Sequence, residues 1–275
     1  MRKILLDLEI SGDIDDAVVL LYSLSNKLNI HAITLLNPTP NELSFVKNIL
    51  DKYSYQKGLF VHYDKSIKNS NSTLKIISDY KYHGNRTHES LDLIKDSKDY
   101  IVLGGGAYTI PKILHEKGFN KFVLQGGFAG SKIVKKPLRK FIDKEYCSSW
   151  NPNLDITATK YMLKNCKDLV FISKDICHDS LIDINDLTLN SDTNAFIKKY
   201  LNGSNKKKAM HDLVALFYIL DNNLCETLKV EMKEKNGKWT STYQEFMPTG
   251  ISISWNRNLF LKMLNSWMTS LLYSS

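Results

Sequence analysis

Between residues 7 and 16 the chain carries Asp7, Glu9, Asp13, Asp15 and Asp16, set between the apolar runs Ile4–Leu6 and Ala17–Leu21. Like charges at this density raise one another's pKa and repel. Helix capping accounts for Asp13 or Asp15, whose charge suits the positive end of a following helix. It leaves Glu9 unexplained, because that carboxylate is aimed into the same turn. A bound cation removes the difficulty. A hard, oxygen-ligated ion such as Ca²⁺ takes several carboxylate oxygens and tolerates irregular geometry.

The surrounding pattern says what must hold these groups. Residues 3–7 form a short apolar run fit for a buried strand, and 14–26 have helical periodicity. The pattern then predicts strands at IHAITLL and GLFVHY, with a helix over 40–53 between them. Residues 88–96 look helical, and DYIVLGGG is a buried strand ending in glycines. IPKILHEKG has proline at its start and glycine at its end, as helices do. KFVLQGGFAG repeats the strand-then-glycine form, DITATKYMLKN is a helix with Asp155 as N-cap, and LVFIS is a strand. Residues 129–146 and 202–208 read as Lys-rich surface loops. The tail from 228 to 256 reads as two strands joined by a turn at Asn236-Gly237, then a final helix. Strands alternating with helices imply an α/β, Rossmann-like, mostly parallel doubly wound sheet, closed by a C-terminal strand pair and helix. We expect one domain over residues 1–275, with no internal repeat. The acidic turn then lies at the carboxyl end of the first strand, in the crevice where open α/β sheets bind ligands.

Composition sets limits. A chain of 275 residues with 43% hydrophobic content buries a full core and is not disordered. No apolar run reaches the length of a membrane span, and Asp7 interrupts any leader-like stretch. Cys147, Cys166, Cys177 and Cys225 lack CxxC spacing, which points to reduced thiols and a cytoplasmic location. The net charge of +8 fits solubility, and no aromatic-basic interleaving supports a nucleic-acid partner.

The segment DLEISGDIDDAVVLL resembles the N-terminal signature of the inosine-uridine-preferring nucleoside hydrolase family. Further elements follow in colinear order over residues 3 to 250: ITLLNPTP with Asn37, YHGN with His83, LGGGAYTIPKIL with Thr109, FVLQGGFAG with Gln125, SSWNPNLDITAT with Ser149, Trp150 and Asn151, and MHDLVALFYILD with His211 and Asp212. The resemblance implies a calcium-dependent hydrolase that cleaves the N-glycosidic bond of a ribonucleoside. It also implies a homodimer or homotetramer whose partner is a small nucleoside or nucleotide.

By the same resemblance Glu9, Asp16, Asp212 and the Thr109 carbonyl hold the ion, and Glu9 is also the base that takes a proton from water. Asp15 and Asn151 grip ribose hydroxyls, and His211 sits by the leaving base as a proton donor. Asn37, His83, Gln125, Ser149, Trp150 and Asp212 line the substrate, and Asp7 supports the acidic turn. Such carboxylates would stabilise the positive charge that develops near the anomeric carbon.

Each residue also has a plainer role. Asp212 could cap a helix, His211 could be a surface histidine, Asn37 and Asn151 precede prolines, and His83 could be loop decoration.

Three positions depart from the family pattern. Glu9 stands where aspartate is usual, Gln125 where methionine is usual, and Ser149 where a glutamate meets the ribose. Two function classes stand. One is a metal-dependent ribohydrolase acting on a ribonucleoside, including a modified or 5′-phosphorylated one. The other is a catalytically impaired nucleoside- or nucleotide-binding protein that keeps the fold. Retention of Asp7, Asp15, Asp16, His211 and Asp212 favours the enzyme. Loss of a carboxylate at Ser149 and the lysines Lys206, Lys207 and Lys208 ahead of His211 both suit a 5′-phosphate, although a solvated loop also explains those lysines.

Overall fold

The computed structural model describes residues 2–10, 13–67, 77, 80–95, 99–188, 191–203 and 207–266. Ser11 and Gly12 of the acidic signature, the end of the predicted 88–96 helix, and Lys206 lie outside the described residues.

The strands are β1 (Lys3–Leu8), β2 (Ile30–Leu36), β3 (Gly58–His62), β4 (Glu89–Ser90), β5 (Tyr100–Gly104), β6 (Lys121–Gln125), β7 (Cys147–Ser148), β8 (Asp168–Ile172), β9 (Leu181–Asp183), β10 (Lys207–Ala209), β11 (Cys225–Lys235), β12 (Lys238–Tyr243) and β13 (Thr249–Trp255). The helices are α1 (Asp15–Ser25), α2 (Pro40–Lys52), α3 (Thr109–Glu116), α4 (Trp150–Leu154), α5 (Ile156–Asn165), α6 (Lys174–Cys177), α7 (Asp192–Gly203), α8 (His211–Leu220) and α9 (Arg257–Leu264). Among them no helix is long and apolar enough to cross a membrane.

An eleven-stranded sheet has the order β4-β3-β2-β1-β5-β6-β8-β13-β11-β12-β7. From β4 to β13 in that order neighbours run parallel, and β11, β12 and β7 continue the sheet antiparallel. Strand residues alternate between two cores. Ile4, Leu6 and Leu103 face the layer that holds α1, α2, α8 and α9. Leu5, Val102 and Phe122 face the layer that holds α3 and α5. This period-two alternation, buried on both faces, explains why the parallel strands read as nearly continuous apolar runs.

The chain leaves β1 toward β2 and leaves β5 toward β6, in opposite directions across the sheet. The crevice at the carboxyl ends of the adjacent β1 and β5 is therefore the topological switch point. The acidic turn follows β1, and Gly105-Gly106 follow β5.

Two expectations need correction. Residues 88–95 are not a helix: Glu89–Ser90 pair beside β3, and Ser90 caps a 3₁₀ turn over Leu91–Leu93. The tail holds three strands, not two. The hairpin β11–β12 turns at Asn236 (φ 52°) and Gly237 (φ 71°), the left-handed pair such a turn requires. After it β13 returns between β8 and β11, parallel to one and antiparallel to the other. Within 202–208, Lys207 and Lys208 pair with β9.

Candidate active site

Strand β1 carries Asp7 between Thr34 and Gly104. The Thr34 hydroxyl donates to Asp7 Oδ1 at 2.9 Å. Burial pushes the Asp7 carboxyl up to about 8, against that hydrogen bond and with the Glu9 charge.

Asp15 and Asp16 open α1, yet neither caps it: the N-cap is Ile14, with no side-chain hydrogen bond. Instead Glu9 N donates to Asp16 Oδ1 at 3.2 Å. Asp212 is the second residue of α8 and does not cap that helix either, whose N-cap is Met210. The capping explanation therefore fails for these groups. Carboxylate oxygens of Asp15, Asp16 and Asp212, all three buried, come within 4.8 Å of one another.

Burial, and then the neighbouring acids, hold the Asp16 and Asp212 carboxyls well above the carboxylate range. Asp212 Oδ1 is buried with no hydrogen-bond partner among the described residues. An orphaned acceptor and clustered negative charge at a buried point fit a hard divalent cation. Asp15 belongs to this close group with Asp16 and Asp212, and Glu9 lies beside it, against Gly106.

Gly105 closes the cradle. A Cβ there would lie 2.3 Å from Asp16 Oδ1 and 3.1 Å from Asp212 Oδ1. Gly105→Ala should therefore spread the carboxylates, at a cost of about 1–3 kcal/mol in stability, and weaken calcium binding. Calorimetric titration checks it, and unchanged affinity in a folded variant would show that the cradle is not the binding point.

The opposite wall comes from α4 and the end of β6. Asn151 Nδ2 donates to Gly105 O at 2.8 Å and Gln125 Oε1 at 2.7 Å. Tyr108 OH donates to Gln125 O at 2.6 Å. Ser149 is buried, and its Oγ accepts from Gly127 N at 3.0 Å. Trp150 beside it is 62% exposed. Thr109 begins α3, and its hydroxyl donates to Asp155 Oδ2, whose Oδ1 caps α5 as expected by accepting from Ala158 N.

His211 Nδ1 lies 3.7 Å from Asp15 Oδ2, and its Nε2 is buried without a partner among the described residues. Burial, and next the Lys208 ammonium, push the His211 imidazole down to about 4. It is neutral near pH 7, so the contact with Asp15 is polar rather than ionic.

Other expected site residues sit elsewhere. His83 is exposed. Its neighbours Tyr82 and Arg86 dock on Asp51 near the end of α2, on the edge of the sheet where β3 begins, away from the acidic group. Asn37 (φ 47°) lies at the correct edge, but its amide binds the backbone of Asp64 and Ile67. Lys207 lies 3.9 Å from Asp183, and Lys208 pairs with Asp13 in the acidic turn.

Sequence reasoning missed Lys140, Lys174, Asp175 and His178. Lys174 and Asp175 follow β8 at the same carboxyl edge, so the rule that located Glu9 could have found them. Asp175 Oδ2 accepts from Ala129 N at 2.7 Å, while its Oδ1 is buried without a partner among the described residues.

Burial pushes Asp175 from its ordinary 3.8 to about 6, against hydrogen bonds from the Ala129 and Gly130 backbone. The folded state therefore binds this proton more tightly than the unfolded chain. Its stabilisation is complete below about pH 4 and is lost as pH rises through about 6. Asp175→Asn should remove this slope from denaturant unfolding curves taken between pH 4 and pH 7, and equal slopes in both proteins would contradict the assignment.

No protein-family model matches the chain. A protein of Aquifex aeolicus (strain VF5), described only as uncharacterized, is 29% identical over 246 residues, covering 81% of this chain and 83% of that protein. Among solved structures, a plant nucleoside hydrolase, the PpNRh1 enzyme, matches with a TM-score of 0.71 over 98% of this chain and 99% of that chain, at 13% identity. The chain thus has the nucleoside hydrolase fold, with the acidic group at its switch point.

Proposed function

We propose that the protein is a calcium-dependent N-ribohydrolase that cleaves a ribonucleoside into free base and ribose. The observation that carries this reading is the buried Asp15–Asp16–Asp212 group at the switch point of a nucleoside hydrolase fold. Asp15, Asp16 and Asp212 would hold the ion, with the Thr109 carbonyl as a further donor. When bound, the ion would supply a Lewis acid that makes water more acidic and a charge that orients ribose hydroxyls.

The chain's own groups do the rest. Glu9, at the margin of the cluster, takes the proton from the attacking water onto its carboxylate. Asp15 accepts from a ribose hydroxyl and, with its neighbours, stabilises positive charge at the anomeric carbon. Asn151, its Nδ2 committed to Gly105 and Gln125, offers Oδ1 to the ribose. The exposed Trp150 ring suits contact with the base. His211 faces the leaving base as a neutral imidazole. The same reading extends to one domain, a cytoplasmic role in nucleoside salvage, and a homodimer or homotetramer.

The test is to incubate purified protein and calcium with the common ribonucleosides and their 5′-monophosphates, and to separate free base and sugar by chromatography. Release of a base supports the hydrolase. Tight binding of a nucleoside with no release would replace it with the catalytically impaired binding protein.

A further inference from the structure

Beyond His211, whose Nδ1 lies 3.7 Å from Asp15 Oδ2, the neighbouring surface is cationic. Lys140 lies in the 3₁₀ turn Arg139–Phe141, and Lys174 opens α6 just beyond β8. Lys140 Nζ lies 2.9 Å from His178 Nδ1, and the His178 ring lies 5.1 Å from that of His211, centroid to centroid. Lys174 Nζ donates to Ser148 O at 2.8 Å, and Lys174 N donates to Gly127 O at 3.1 Å. The same Gly127 binds Ser149. The rim therefore runs from Ser149 through Lys174 and Lys140 to His178 and His211.

These cations have neutral hydrogen-bond partners. Among the described residues neither Lys140 nor Lys174 forms an ion pair within 4.0 Å, in contrast to Lys208 with Asp13. Asp175, next to Lys174 in the chain, turns its carboxylate toward the Ala129 amide. Burial, and then the Lys174 charge, hold the Lys140 ammonium below its ordinary pKa. Because Lys140 donates to His178 Nδ1, the ring proton sits on Nε2 as a further donor. At the inner end of the rim, His211 Nε2 is buried without a hydrogen-bond partner among the described residues, and the amino end of α8 adds partial positive charge.

We propose that Lys140, Lys174 and His178 form a phosphoryl subsite, and that the substrate is a ribonucleoside 5′-monophosphate. Two ammonium groups and a ring N–H match a tetrahedral dianion. With ribose hydroxyls assigned to the acidic side by the ribohydrolase reading, the 5′ oxygen is the ribose position left to carry the phosphate. The choice of carrier rests on the ribohydrolase reading, while the anion site stands on the rim alone.

The experiment is calorimetric titration of the calcium-loaded protein with adenosine, uridine, their 5′-monophosphates and inorganic phosphate. It is repeated on K140A/K174A and on the milder K140Q/K174Q, both checked for folding by circular dichroism. The monophosphates should bind at least about tenfold more tightly than the nucleosides, as charged hydrogen bonds allow. Both double variants should lose that preference and keep nucleoside affinity. Equal binding of nucleoside and monophosphate by the wild type, or a preference that survives in the variants, overturns the subsite. Inorganic phosphate binding as tightly as the monophosphates overturns the assignment to substrate. A lysine-dependent preference without base release upholds the subsite and rejects the hydrolase, and base release without preference does the reverse.

Discussion

Asp16→Asn should lower calcium affinity by more than about 100-fold, beyond the 10–100-fold usual for residues that only support a ligand. Asp16 belongs to the three-carboxylate group, and both it and Asp212 lie against Gly105. Asparagine keeps an oxygen for the Glu9 N–H, so the turn loses a charge and not its hydrogen bond. The metal-free variant should for that reason be more stable than metal-free wild type, since one of three crowded buried acids is gone. Calcium should also protect wild type against heat and leave the variant unprotected. In wild type, calcium affinity should rise with pH, because burial holds the Asp16 and Asp212 carboxyls high and the ion must displace their protons. Calorimetry and thermal unfolding measure both effects, and unchanged calcium binding in Asp16→Asn would move the site elsewhere.

The second large effect separates Glu9 from His211. Glu9→Gln should reduce kcat by about 10²–10⁴-fold, the usual contribution of a positioned base. Glutamine preserves the length of the side chain beside Gly106, so the loss reports the missing basicity. His211→Ala should cost no more than about tenfold. Burial, and next the Lys208 charge, push its pKa down to about 4, so at neutral pH the ring is neutral and a weak acid. A larger loss in His211→Ala than in Glu9→Gln would put general-acid catalysis ahead of water activation.

Local chemistry was legible in the sequence, and assembly less so. The strand Ile30–Leu36 coincides with the apolar run, Asp155 caps its helix, and Asn236-Gly237 turns its hairpin, because each depends on neighbours in the chain. The place of the last strand was not legible. Ile251-Ser252-Ile253-Ser254 alternates with the period of two that marks a strand, but its place between β8 and β11 is a tertiary setting that the local pattern does not show. The acidic turn was evident as a cluster, but the closeness of Asp15 to Asp16 and Asp212 depends on how α1, α8 and Gly105 converge. His83 matched a motif whose chain neighbours dock near the far end of α2. Lys140 and Lys174 meet at one rim from an irregular loop and a strand end, so their proximity leaves no mark on spacing.

The most direct test of the account is the rate of base release from the best substrate after exhaustive chelation, followed across a calcium titration. The account predicts that release falls to the uncatalysed level on chelation and returns in proportion to calcium, saturating at one ion per chain. Release that persists undiminished in chelator would contradict it.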